Sequence, residues 1–182
     1  MTSRPYDAPV QTQFPQPPHQ FRDAEGDVIR VETANSDDPE TIDRLIDMYE
    51  EFHPADRAQG IPPVHPEGIA SWLDLVVGSG PDVIAIYDGR VVGHATLVPE
   101  NDTGEYELAI FVLRGFQERG IGTSLLDHLL GEAQAVGIEY IWLTVERWNR
   151  RALSLYQSVG FRSTKSGSFD LEMTIRLAAS TE

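Results

Sequence analysis

The 182-residue sequence contains no cysteine, which excludes disulfides, thiolate nucleophiles and cysteine-ligated metal sites. Any group transfer it performs therefore proceeds without a cysteinyl intermediate. Lysine is nearly absent too: of 14 basic residues all but Lys165 are arginine, against 29 Asp and Glu, for a formal net charge of −15. Nucleic-acid partners are disfavoured, because phosphate binding needs clustered positive charge. Scattered carboxylates with so little lysine are the composition of a salt-adapted, halophile-like proteome, where charge serves solubility first; a cationic substrate is the other reading. Near 1 M salt the screening length falls to about 3 Å, too short for such a surface to steer a ligand. Apolar runs are short, far from the roughly 18 residues of a membrane span. The opening "MTSRPYDAPVQTQFPQPPHQ" also lacks the short apolar core of a signal peptide. No membrane partner is expected, and the expected location is the cytoplasm.

What is present reads as one α/β (α+β) domain over residues 26–178, with a flexible Pro-rich arm over 1–25 and a short tail over 179–182. The arm holds prolines at 5, 9, 15, 17 and 18 among few aliphatics, so its own burial cannot offset its ordering entropy. "DVIRVETA" alternates as a strand, and Asp38 followed by Pro39 opens a helix with Ile42, Leu45, Ile46 and Tyr49 on its apolar stripe. The Gly- and Pro-rich segment from His53 to Pro66 is a loop, and a helix with Ile69, Trp72, Leu73 and Val76 follows. Asp88-Gly89 sits between two alternating runs, the signal of a tight hairpin, and "EYELAIFVL" supplies the next strand. A helix from about Gly120 to Val136, the strand "IEYIWLTV", a short helix from about Asn149 to Ser158 and a closing strand "SFDLEMTIRL" complete the pattern. In that last strand Phe169, Leu171, Met173, Ile175 and Leu177 form the inward set.

"FQERGIGTSLL" falls where a strand gives way to a helix. The first amides of a helix have no intrahelical partner and lie at the positive end of its dipole. Gly120 and Gly122 have no side chain to keep a phosphate from them, although glycines at such a turn can equally serve the chain direction alone. A second segment, "VERWNRRALSLYQSVGF", places Asn149, Ala152, Tyr156, Gly160 and Phe161 at fixed spacing after the following strand. Together, Val112, Gln117-x-x-Gly120-x-Gly122 and Asn149-x-x-Ala152-x-x-x-Tyr156-x-x-x-Gly160-Phe161 resemble the Gcn5-related N-acetyltransferase (GNAT) superfamily over about residues 80–177.

The resemblance implies a mixed, mostly antiparallel sheet flanked by helices, with acetyl-CoA as co-substrate at an opening between two central strands. It implies that Phe111 and Val112 offer backbone to the pantetheine arm, and that Arg119, Gly120, Ile121, Gly122 and Thr123 surround the pyrophosphate behind Gln117. Asn149 lies beside the cofactor or caps its helix. Tyr156 stands where members of the family keep a tyrosine to protonate the departing thiolate, or packs as a core aromatic. An amine acceptor must lose a proton before attack. Glu105 and Glu107 share a strand face, and Glu107 is the candidate base, directly or through water, the alternative being an exposed strand carboxylate. His53, His65, His94 and His128 lack ligand spacing, so no metal is expected. The expected reaction is direct acetyl transfer to a small-molecule or peptide amine. A non-catalytic acyl-CoA-binding domain and transfer to a hydroxyl are the rival readings, and a homodimer is in keeping with the family.

Overall fold

In a computed structural model, residues 2–56, 62–167 and 169–180 are described. Residues 57–61 of the expected loop and 181–182 of the expected tail lie outside them. Eight strands and four helices follow in the order β1 (His19–Arg22), β2 (Val28–Thr33), α1 (Pro39–Glu50), α2 (Pro66–Val76), β3 (Asp82–Tyr87), β4 (Arg90–Glu100), β5 (Glu105–Val112), α3 (Ile121–Ala135), β6 (Tyr140–Glu146), α4 (Arg150–Val159), β7 (Arg162–Ser166) and β8 (Asp170–Arg176). They form one sheet ordered β1-β2-β3-β4-β5-β6-β8-β7. Every pairing is antiparallel except β5 with β6, the pair whose connection runs through α3.

Local chemistry explains the elements. The Asp38 carboxylate accepts from the Glu40 amide at 3.1 Å and caps α1, with Pro39 at its first position. Asp88 and Gly89, at φ 47° and 77°, turn the β3–β4 hairpin. On α3, Ile121, Leu125, Leu126, Leu129 and Leu130 are all buried against the sheet, each worth roughly 1.5–3 kcal/mol. Gly93 of β4 lets α3 close in, since a Cβ there would stand 2.9 Å from Leu125 Cδ1. The next residue, His94, points to the other face, where Tyr49 of α1 meets it. The helices thus cover both faces, α1 and α2 on one, α3 on the other.

One sequence expectation changes here. Phe169 does not join the inward set of β8: it is 68% exposed, because it lies before the strand, in the turn from β7. His128 of α3 is buried, stacked at 4.8 Å on His19 of β1.

Residues 2–22, where composition points to a flexible arm, lie along the domain. Val10 bridges to Leu177, the Phe14 amide donates to Gln134 Oε1 at 2.9 Å, and β1 extends the sheet. The arm crosses α3 at Gly131, where a Cβ would stand 1.8 Å from the Pro15 carbonyl oxygen. Only glycine admits that backbone approach. Hydrogen bonds from the domain to backbone, such as Gln134 Nε2 to Thr12 O at 2.9 Å, replace the core the arm lacks.

Candidate active site

The parallel β5–β6 pairing ends early. Glu105, Tyr106 and Glu107 oppose Tyr140, Ile141 and Trp142, and beyond that register the strands part, although β5 stays paired to β4 as far as Val112 and β6 to β8 as far as Glu146. The gap is a cleft of about 510 Å³ walled by residues 107–112 on one side and 144–146 on the other, with α4 across it. The Leu113 amide donates to Val92 O at 2.9 Å. Alternation along β5 therefore turns the N–H and C=O of Val112, Ile110 and Leu108 away from β4 and into the gap.

At one end of the cleft stands the glycine turn. Gly120 is the N-cap of α3 at φ 87°, with no side-chain cap, and Glu118 holds φ 62°, a conformation uncommon outside glycine. Among the described residues, the backbone N–H groups of residues 118–123 donate no hydrogen bond, the first helical bond being Ser124 N to Gly120 O at 3.1 Å. Six consecutive free donors at a helix start form a nest for an anion. Gln117 braces the turn, its Nε2 donating to Val112 O at 3.1 Å.

Of the residues singled out by sequence, Glu107, Phe111, Val112, Gln117, Gly122, Asn149 and Tyr156 line this one cleft. Ile121 contributes only its backbone, because its side chain is buried in the core, and Thr123 sits exposed on the first turn of α3. Arg119 lies elsewhere: its guanidinium is 3.3 Å from Asp23 and 3.1 Å from Asp27, and 4.9 Å above the Phe116 ring. Its charge is committed to the β1–β2 turn. Among the described residues the cation that lines the cleft is Arg151, which sequence reading missed; it faces Glu118 at 3.4 Å with both side chains exposed. Its place on the first turn of the helix that Asn149 caps was the available signal.

Asn149 caps α4, Oδ1 accepting from the Ala152 amide at 3.2 Å, while also lining the cleft. Tyr156 is half-buried beside Phe161, at 5.7 Å between rings, and burial pushes its phenol up to about 12. Glu107 is exposed on the cleft floor. Desolvation first, then the charge of Glu100, raises its carboxyl above 4.5, against a lowering by Arg4. Phe111 packs edge-on against Tyr49, Phe52 and Trp72 at 5.5–5.8 Å, so the cleft wall rests on an aromatic cluster. Behind it, Tyr49 Oη meets His94 Nδ1 at 2.6 Å and His94 Nε2 meets Asp82 at 2.8 Å, all buried. This chain pins α1 to β4 and β3. Among the described residues no group of three or more His, Asp or Glu is arranged to hold a metal ion.

Comparison with known proteins addresses the same features. The model of the acetyltransferase (GNAT) family matches residues 42–161. An uncharacterized N-acetyltransferase of Mycobacterium tuberculosis (strain ATCC 25618 / H37Rv) is 30% identical over 121 residues, covering 60% of this chain and 78% of the relative. The [ribosomal protein bS18]-alanine N-acetyltransferase of Salmonella typhimurium (strain LT2) is 46% identical over 46 residues, 25% of this chain and 31% of its own. In fold, the GNAT domain of S. lividans PAT superposes with a TM-score of 0.71 at 19% identity, over 88% of this chain and 97% of that domain. The yncA protein of Salmonella typhimurium, solved with its cofactor acetyl-CoA, gives 0.63 at 22% identity over 85% and 96%. A parted β5–β6 pair, a glycine turn with bare amides and a family match spanning both sequence motifs lead to one assignment: the chain belongs to the GNAT family of acetyltransferases.

Proposed function

We propose that this enzyme transfers an acetyl group from acetyl-CoA directly to an amine held in the same cleft. The observation that carries the reading is the junction of the parted strands with six unpartnered amides, a cradle that fits a pyrophosphate followed by an extended amide-bearing arm. The N–H groups of residues 118–123 and Arg151 hold the phosphates, and the inward N–H of Val112 with the N–H and C=O of Ile110 pair with the pantetheine arm as a further strand would. Bound there, acetyl-CoA supplies an activated thioester. The Leu108 or Ile110 N–H polarises its carbonyl.

Glu107 takes the proton from the acceptor amine, directly or through water, and its raised carboxyl suits that task better than an ordinary glutamate. The amine nitrogen forms the new amide bond as the carbon–sulfur bond breaks, and the second proton it sheds passes to the departing sulfur, directly or through water. Tyr156 offers its hydroxyl to the departing sulfur. A thiol near 8.5 cannot draw a proton fully from a phenol at about 12, so Tyr156 stabilises the thiolate as a hydrogen-bond donor.

The test is a panel of amines with acetyl-CoA, reporting free thiol, in low and in multimolar salt. The reading expects turnover that Tyr156→Phe lowers while the thermal shift given by coenzyme A is kept. Coenzyme A protecting a protein that acetylates no amine in either salt would instead establish an acyl-CoA-binding module.

A further inference from the structure

One face of the sheet carries a row of carboxylates around the β5–β6 junction. Register sets Glu100 beside Glu105, Glu107 beside Trp142, Glu172 beside Thr144 and Asp170 beside Glu146, all on the face that Glu107 occupies. At the closed end of this row the molecule displays what the face accepts. The Arg4 guanidinium lies 3.6 Å over the Trp142 ring, 2.5 Å from Glu100, 3.6 Å from Glu105 and 3.2 Å from Glu172. It arrives on the segment Ser3–Tyr6, whose Ser3 and Tyr6 also bond Glu105. A basic side chain on a peptide segment is thus already seated on carboxylates and an indole.

The open end repeats those ingredients. Glu107, Glu146 and Asp170 line the cleft. Glu146 and Asp170 stand directly opposite one another across β6 and β8. Trp148 Nε1 donates to Glu146 Oε2 at 3.0 Å, and Trp148 meets Phe169 edge-on at 6.3 Å. These two rings are 62% and 68% exposed, each next in sequence to a cleft-lining residue, Asn149 and Asp170. A small amine within the cleft leaves them bare, whereas a chain running out over the rim covers them.

Resting on the acetyl-transfer reading above, we propose that the acceptor is a basic peptide. Its reacting amine lies at Glu107, and an arginine or lysine side chain is held by Glu146 and Asp170 beneath Trp148 and Phe169, through charge and cation–π contact. Glu146 and Asp170 select the acceptor and leave the chemistry to Glu107 and Tyr156.

The test compares short peptides with a free amine and either arginine or its neutral isostere citrulline, using the unmodified protein in about 0.1 M salt, where a charge still acts over about 10 Å. KM for the arginine peptide is expected about tenfold lower, with kcat and KM for acetyl-CoA alike. Glu146→Gln with Asp170→Asn is expected to erase that difference, KM for the arginine peptide rising to that for the citrulline peptide. Calorimetric binding of both peptides to the coenzyme A-loaded protein reads the same preference without turnover. Equal KM and equal binding for the two peptides overturn the inference while leaving acetyl transfer intact. Saturation by a free diamine at lower concentration than the peptide also overturns it, in favour of a small cationic acceptor. Tight binding of the arginine peptide without acetylation of any amine sinks the transfer reading and keeps the basic-peptide site.

Discussion

Glu105 and Glu107 are two residues apart on β5 and face the same side of the sheet, yet their surroundings are opposite. Glu105 is fully buried; its carboxylate accepts from the Ser3 amide and hydroxyl and from Tyr6, at 2.7–2.9 Å, and lies 3.6 Å from Arg4. Burial alone would raise its carboxyl, but those donors and that charge hold it below 4.5. Glu107 is exposed, has no such donors, and is raised. The difference is where each stands relative to the last rung of β5–β6 pairing, at Glu107 and Trp142. Before that rung the arm seals the sheet and a carboxylate is structural; after it the strands part and a carboxylate faces the cleft. Changes in the open half should therefore strike turnover and spare stability, and changes in the sealed half should do the reverse.

The largest effect expected is from Tyr156→Phe, which should lower kcat about 100-fold with KM for acetyl-CoA and Tm nearly unchanged. Glu107→Gln should lower kcat/KM about tenfold, since water can substitute in part, and should remove the acid limb of the pH profile. The sign follows from the base needing its ionised form: activity falls as pH drops through a carboxyl value raised above 4.5. Glu105→Gln should cost about 1.5–3 kcal/mol of stability, read as denaturant midpoint, and leave kcat within about twofold. Because the folded value is depressed, that stabilisation is full above 4.5 and lost as pH falls through the folded value, so the two proteins should converge in Tm in acid. Gly131→Ala should cost about 1–3 kcal/mol by forcing Pro15 off α3, again with kcat preserved. Smallest, Arg151→Ala should raise KM for acetyl-CoA about threefold, whereas Arg119→Ala should leave that KM unchanged and lower Tm. Equal turnover loss from Glu105→Gln and Glu107→Gln would break the division altogether.

The open half was the more legible in sequence. The Gln117-x-x-Gly120-x-Gly122 and Asn149 to Tyr156 spacings sit on consecutive elements, so local pattern carries them, and α3 runs within a residue of its expected span. The sealed half depends on contacts across 102 and 168 residues, Ser3 with Glu105 and Arg4 with Glu172, which no local pattern encodes. β1 escaped notice because Pro-rich flanks hid its alternation, and its order comes from pairing with β2. The Arg119 guanidinium was unreadable for a related reason: its neighbours in sequence are the bare amides of the glycine turn, but its partners Asp23 and Asp27 come from a distant turn. Phe169 fitted the strand pattern and only its position beyond the last rung of β8 explains its exposure.

The crossing of the arm over Gly131 also bears on how the chain reaches its final form. The Pro15 carbonyl oxygen lies in a notch on α3 that exists only once that helix has formed, and the segment Ser3 to Tyr6 finds its carboxylates only after β5, β6 and β8 have met. The arm thus settles after the sheet it crosses. Residues added ahead of Ser3 would press on the Arg4 cage beside Glu107.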